Sequence, residues 1–378
     1  MLSRDGNIVR PQQIRLADAS DAFVLDNGVR LGPIDVQFET YGELTPQRDN
    51  AVLLCHAFSG DAHAAGYHAN DDRYPGWWNE MVGPGKAFDT DRFFVVCANV
   101  LGGCQGTTGP GSIDPATGAP YGLSFPFVTI ADMVRVQRML LDRLNVPKLH
   151  AVAGGSMGGM QVLEWAVRYP EFVDRAIVFA SAARLTAQGI AFNAVGRNAI
   201  MSDPNWRDGA YYGQPQPANG LSIARMVGHI TYLSAESMGT KFGRRLRDRA
   251  PAGMEFDDRF EVESYLEYQG QKFVDRFDAN TYIYLTKAMD HFDLGAERGG
   301  LAAALERVDS SFLILAYSSD WLFPTVQSKE LVYALARAHK DVSFTEIDSP
   351  YGHDAFLLES SVQSELVAAF LDRRSRTA

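Results

Sequence analysis

The chain has 378 residues, is 46% hydrophobic and carries a formal net charge of -11, which suits one large folded domain, with or without an insertion, and argues against a nucleic-acid surface. The Arg-rich tail Arg373-Arg374-Ser375-Arg376 is read as a solvated end; Met1 to Arg15 lacks the apolar centre of a signal peptide. No stretch reaches the ~18 uninterrupted apolar residues of a membrane span, so a cytoplasmic protein with no membrane or nucleic-acid partner is expected.

Strand-like runs, most of them continuously apolar, predict strands at Ile34 to Thr40, Ala51 to His56, Phe93 to Asn99, His150 to Ala153, Ala176 to Ala180, Phe312 to Tyr317 and Val342 to Ile347. Helices are predicted at Ile130 to Leu144, with Thr129 as N-cap, and at Met160 to Arg168, ending before Pro170. Strands alternating with helices make an α/β fold, a mostly parallel sheet with helices on both faces. From Arg184 to Arg298 the strand runs give way to helical patterning broken by Pro204, Pro215, Pro217 and Pro251. Residues 1–183 and 299–378 are therefore read as the catalytic core and 184–298 as a helical lid over the C-terminal edge of the sheet.

The three cysteines, Cys55, Cys97 and Cys104, cannot all pair and lack CxxC spacing, and the eight histidines show no H-x-x-x-H or HExxH pattern. Neither a disulfide framework nor a metal is expected. Gly102-Gly103 through Gly111 lacks a following Gly-Lys-Ser/Thr and reads as a wall of the site rather than a phosphate loop.

Chemistry concentrates at Gly154-Gly155-Ser156-Met157-Gly158, a G-x-S-x-G sequence between an apolar run and a helical stretch. Such a strand-to-helix elbow presents a serine hydroxyl at the edge of a sheet. A nucleophilic serine needs a base, and the base needs an acid. Downstream, Asp320 follows the run Phe312 to Tyr317, and His353 follows Val342 to Ile347 after Ser349-Pro350-Tyr351-Gly352. The order Ser, Asp, His at successive strand ends resembles the alpha/beta hydrolases, and implies a Ser156-Asp320-His353 triad. His56, His150, His63, His68 and His339 fit the base position less well. The oxyanion donors are then the backbone N–H groups of Met157 and of Phe58, in His56-Ala57-Phe58-Ser59-Gly60.

A triad alone does not separate a hydrolase from an acyltransferase. The segments His56 to Gly60, Pro75-Gly76-Trp77-Trp78, Asn99 to Cys104, Gly154 to Gln161, Ala224 to Tyr232, Phe277 to Tyr282 and Gly352 to Leu357 resemble the homoserine O-acyltransferases of methionine biosynthesis. On the lid, Ile223, Met226, Val227 and Ile230 form an apolar stripe, while Arg225, His229 and Tyr232 share another face that is expected to look into the site. The resemblance makes Arg225 the residue for the substrate carboxylate, a role its planar fork suits, and Asp354 the residue for the ammonium, with helix capping as a competing role for Asp354. Family members that use succinyl-CoA carry an arginine two positions after the triad aspartate; this chain has Leu322 there. The resemblance therefore implies acetyl-CoA and L-homoserine as substrates, no cofactor and a homodimer. Homoserine O-succinyltransferase, serine O-acyltransferase, esterase and a non-catalytic binding protein remain the alternatives.

Overall fold

In the computed structural model the described residues are 8–70, 72–247 and 259–373. Residues 1–7 and 374–376 of the two ends read above, and Pro251 of the lid, lie outside them. The chain opens with β1 (Gln12–Ala17), the ribbon of β2 (Phe23–Val24) and β3 (Arg30–Leu31), then β4 (Ile34–Tyr41). The core continues through β5 (Ala51–Cys55), β6 (Phe94–Ala98), α1 (Ile130–Arg143), β7 (Ala151–Gly155), α2 (Met157–Arg168) and β8 (Arg175–Phe179). Every position of β5, β7 and β8 is buried, which is why their sequences are apolar or small runs, broken only by Arg175 at the start of β8.

One sheet of eight strands runs in the order β1-β4-β6-β5-β7-β8, followed by β9 (Ser311–Tyr317) and β10 (Val342–Ile347). β1 pairs antiparallel with β4 and β4 antiparallel with β6; the remaining pairs are parallel. The register sets Cys55 beside Gly154, so the carboxyl ends of β5 and β7 open at one edge. β1 was not anticipated from sequence: it is an outer strand, four of whose six residues are polar or alanine, with only Ala17 buried. α1 starts as expected, its Thr129 hydroxyl accepting from Asp132 N–H at 3.0 Å while the Asp132 carboxylate accepts from Thr129 N–H at 3.1 Å, a capping box.

Between β8 and β9 lie α3 (Ala187–Met201), α4 (Ala218–Tyr232), α5 (Ala235–Lys241), α6 (Glu261–Val274), α7 (Ala279–His291) and α8 (Leu301–Glu306). Arg184 bridges Asp293, and Leu294 N–H donates to Ala183 O at 2.9 Å, so the helical segment leaves and returns at one point. Inside it, Arg197 and Asp290 pair at 2.7 Å, each side chain 7% exposed, and Asn193 donates to the same carboxylate at 2.7 Å. These contacts tie α3 to α7. After β9 come α9 (Thr325–Arg337), β10, α10 (Ala355–Leu358) and α11 (Ser360–Leu371).

The stripe on α4 is turned the other way from an ordinary amphipathic helix. Ile223 and Ile230 are exposed, whereas Ala224, His229 and Thr231 are buried and Arg225 and Tyr232 partly so. The polar face looks inward because it meets other polar groups there. The turns expected to wall the site serve packing instead: Gly102 lies against Val128 and Leu285, and Gly111 against Tyr212. Cys55, Cys97 and Cys104 are free thiols. Among the described residues no helix is long and apolar enough to cross a membrane.

Candidate active site

Ser156 stands between β7 and α2 at φ 58° and ψ -123°, a left-handed conformation that costs a side-chain-bearing residue ~1–3 kcal/mol. The surroundings hold it there. α2 begins at Met157, three residues before the expected start, because the elbow needs the helix to follow the serine at once. Gly158 makes this approach possible: a Cβ there would lie 2.0 Å from the carbonyl oxygen of Cys55. Both partners of that clash are backbone, so Gly158→Ala is expected to lower stability by more than about 2 kcal/mol in urea denaturation. An unchanged midpoint would contradict this packing argument.

Asp320 and His353 meet across the ends of β9 and β10. His353 Nδ1 donates to Asp320 Oδ2 at 2.8 Å, and Asp320 Oδ1 accepts from the backbone N–H groups of Leu322 at 3.0 Å and Phe323 at 2.9 Å. With Nδ1 committed to the carboxylate, Nε2 is the nitrogen left to act as base. Burial opposes protonation of His353, but the Asp320 charge and hydrogen bond outweigh it and raise its pKa above the ordinary imidazole value. The ring is stacked on Phe323 at 5.0 Å and edged by Phe356 at 5.5 Å, while Phe356 also lies against Gly155 of the elbow.

Ser156, 7% exposed, lines a small cavity together with Phe58, Tyr232, Leu322 and Phe323. Phe323 and Tyr232 also contact the His353 ring, the latter at 6.0 Å. The wall of the Ser156 cavity and the His353 ring thus share two aromatic neighbours. Gly352, at φ 68°, lets the histidine loop press on the end of α4, since a Cβ would sit 2.6 Å from Tyr232 O. Trp321 Nε1 donates to Leu233 O at 3.0 Å, so the loops of Asp320 and His353 are both braced by the end of α4.

Met157 is the first residue of α2, so its N–H has no acceptor within the helix and points, with the positive end of the helix dipole, beside Ser156. Phe58 is held by ring contacts with Tyr282 at 5.1 Å and Phe277 at 5.6 Å. A device with no sequence signature joins the two donor segments: buried Gln161 donates to His56 O at 3.3 Å and Met157 O at 3.2 Å. Gln137 donates to Gln161 Oε1 at 2.7 Å and accepts from Trp165 Nε1 at 2.8 Å, which fixes the amide's orientation.

Tyr232 also borders a second, open cavity of about 1250 Å³ that receives Arg225 and Asp354. Arg225 Nη1 donates to Ser59 Oγ at 3.3 Å, and its guanidinium lies over the rings of Phe273 at 4.7 Å and Tyr232 at 5.5 Å. Its Nε is buried without a hydrogen-bond partner, leaving donor capacity for a carboxylate. Asp354 occupies the N-cap position of α10 yet makes no capping bond, so its carboxylate is left to the cavity. Burial raises its pKa against the opposing pull of His353 and Arg225. His229, expected beside them, instead contacts Tyr265 OH at 3.3 Å; burial and Arg225 push its pKa down to about 3, which keeps it neutral.

Histidines also gather away from the triad. Glu39, fully buried, accepts from His63 Nδ1 at 2.9 Å, His68 Nε2 at 2.6 Å and Tyr41 OH at 2.7 Å. The ligand-type atoms of Glu39, His63 and His68 lie within 4.8 Å of one another. Their contacts are hydrogen bonds to a carboxylate already met by three donors. The grouping escapes sequence inspection because the histidines are 24 and 29 residues from the glutamate.

Comparison with known proteins adds to this geometry. The alpha/beta-hydrolase-fold family matches residues 50–360. The chain is 53% identical over 379 residues to a homoserine O-succinyltransferase from Magnetococcus marinus, covering 98% of this chain and 96% of that protein. It is likewise 53% identical over 361 residues to a homoserine O-acetyltransferase from Solidesulfovibrio magneticus, covering 95% and 91%. Among solved structures, homoserine O-acetyltransferase from Bacillus anthracis superimposes with a TM-score of 0.92 at 31% identity, over 98% of this chain and 100% of that one. Esterase E22 superimposes with a TM-score of 0.88 at 31% identity, over 97% and 100%.

Proposed function

The chain belongs to the alpha/beta-hydrolase-fold homoserine O-acyltransferases, and from that premise we propose that it transfers an acetyl group from acetyl-CoA to the side-chain hydroxyl of L-homoserine. The observation that carries the choice of donor is the chamber beside Ser156. Among the described residues it is lined by Leu322, other apolar groups and neutral polar groups, with no charged side chain. An acetyl group fits that lining, whereas a succinyl carboxylate placed there unpaired costs several kcal/mol.

The reaction proceeds in two halves. His353 Nε2 takes the proton of Ser156 Oγ as that oxygen attacks the thioester carbonyl, and the oxyanion is held by the N–H groups of Phe58 and Met157. Collapse breaks the C–S bond, CoA leaves as the thiol with the proton from His353, and acetyl-Ser156 remains. L-Homoserine then binds with its carboxylate on Arg225 and its ammonium on Asp354. His353 removes its hydroxyl proton, the oxygen attacks the acetyl carbon, and the proton returns to Ser156 as O-acetyl-L-homoserine departs. No metal or organic cofactor enters this reading. The product serves methionine biosynthesis in the cytoplasm.

Residues 184–298 act as the lid that positions homoserine and limits water, with residues 1–183 and 299–378 as the catalytic core. A homodimer completes the reading; the exposed Val195 on α3 and Ile223 and Ile230 on α4 support a second copy covering that face.

The test is a matrix of acetyl-, propionyl- and succinyl-CoA against homoserine and serine, with products identified by mass. O-Acetylhomoserine is the expected main product. O-Succinylhomoserine as main product would overturn the Leu322 argument, O-acetylserine the choice of acceptor, and free acetate formed without an acceptor would favour the esterase reading that the likeness to esterase E22 keeps open. A substitution addresses the acceptor site: Arg225→Lys is expected to raise the KM for homoserine roughly tenfold or more, because one ammonium cannot replace a two-pronged contact. The KM for acetyl-CoA stays within about twofold; equal changes in both would count against this role.

A further inference from the structure

The second cavity carries more positive charge than an amino-acid substrate requires. Besides Arg225, it is lined by Lys272, in the last turn of α6, and by Arg276, two residues beyond the helix end. Both are exposed, and among the described residues neither is ion-paired. Lys272 Nζ lies over the ring of Tyr74 at 4.8 Å. Arg276 Nη1 donates to Ser59 O at 2.9 Å, and its guanidinium lies 5.3 Å from the centre of the Phe273 ring. Tyr74 itself lines the cavity and is 56% exposed, with Arg73 as well as Lys272 against its ring. Two carboxylates line the same cavity, but Asp61 accepts from His63 N–H at 2.9 Å and Asp354 is assigned above to the ammonium of homoserine.

The donor's own chemistry accounts for these groups. An acyl-CoA is a thioester at one end and a nucleotide at the other, with a pyrophosphate and a 3′-phosphate. The Ser156 chamber has no charged lining and takes only the acyl end. The phosphates must lie beyond it, and the open cationic cavity across Tyr232 is adjacent. Resting on the acetyl-CoA reading above, we propose that Lys272 and Arg276 bind the phosphates of the donor and that Tyr74 stacks on its adenine. Arginine and lysine suit phosphate oxygens, and an exposed phenol ring offers a base a flat apolar face.

The test compares acetyl-CoA with S-acetylpantetheine, which has the same thioester and lacks every phosphate and the nucleotide. Lys272→Gln is expected to raise the KM for acetyl-CoA about tenfold, with kcat/KM for S-acetylpantetheine and the KM for homoserine each altered by less than about twofold. Tyr74→Ala is expected to weaken competitive inhibition by adenosine 3′,5′-bisphosphate, and Lys272→Gln with Arg276→Gln to weaken it further. Equal losses with both donors, a rise confined to homoserine, or unchanged values would overturn the assignment. Failure of the underlying reading looks different: the unaltered enzyme then yields no O-acetylhomoserine from either donor.

Discussion

Ser156→Ala is expected to lower transfer from acetyl-CoA to homoserine by about 10⁵- to 10⁶-fold, the scale of loss when a triad nucleophile is removed. The expectation follows from the division of labour in the site. The Asp320–His353 pair, the helix terminus at Met157 and the Gln161 clamp on the two donor segments remain in place, but no oxygen stands where the acyl group must be held. Intact-protein mass spectrometry after mixing with acetyl-CoA is expected to show one added acetyl group on the unaltered enzyme and none on the variant. An acetyl group retained on the variant would relocate the nucleophile.

Asp320→Asn carries the second-largest effect, about 10⁴-fold in kcat, and here the backbone decides how the variant fails. The N–H groups of Leu322 and Phe323 both point at Oδ1, so the asparagine carbonyl oxygen settles there. Its NH₂ is then turned to His353 Nδ1, which must accept, and the ring proton moves to Nε2. The nitrogen meant to take the serine proton is occupied. The same substitution shifts the pH profile in a defined direction. Burial depresses the His353 pKa, and Asp320 more than compensates; without that charge, burial prevails and the pKa falls. Activity requires neutral His353, so it is lost as pH drops through this pKa. The acid limb of kcat/KM should therefore lie above the ordinary imidazole pKa of about 6.5 in the unaltered enzyme and move to lower pH in the variant. A limb that stays put or moves up would show that another group controls it.

The parts of the fold legible in the sequence are those where one physical demand fixes residue type. β5, β7 and, past Arg175, β8 are buried on both faces, so apolar and small residues dominate and the runs stand out. The candidate positions Ser156 and Asp320 are legible for a related reason, because each follows a buried apolar or small run, whereas His353 follows the half-buried β10. β1 has one neighbour and a largely exposed surface, which relaxes the pattern until it vanishes. The inward turn of the Arg225, His229 and Tyr232 face of α4 follows from its spacing, but its partners are illegible, because they come from α6 and distant loops, while Ile223 and Ile230 face outward. The aromatic clamp of Phe323 and Phe356 on His353 and the amide clamp of Gln161 depend on contacts across long sequence separations, where local spacing carries no signal.

The closure at the root of the helical segment has a consequence for how such a fold diversifies. Arg184 and Asp293 bridge directly, and Ala183 and Leu294 share a hydrogen bond of 2.9 Å. Excising what lies between leaves two ends already in register, and joining them demands only a tight turn, with little loop-closure entropy to overcome. The segment is therefore a cassette. The strand ends that carry Ser156, Asp320 and His353 lie outside that segment, so its helices can be exchanged without cutting the sheet that holds those three residues.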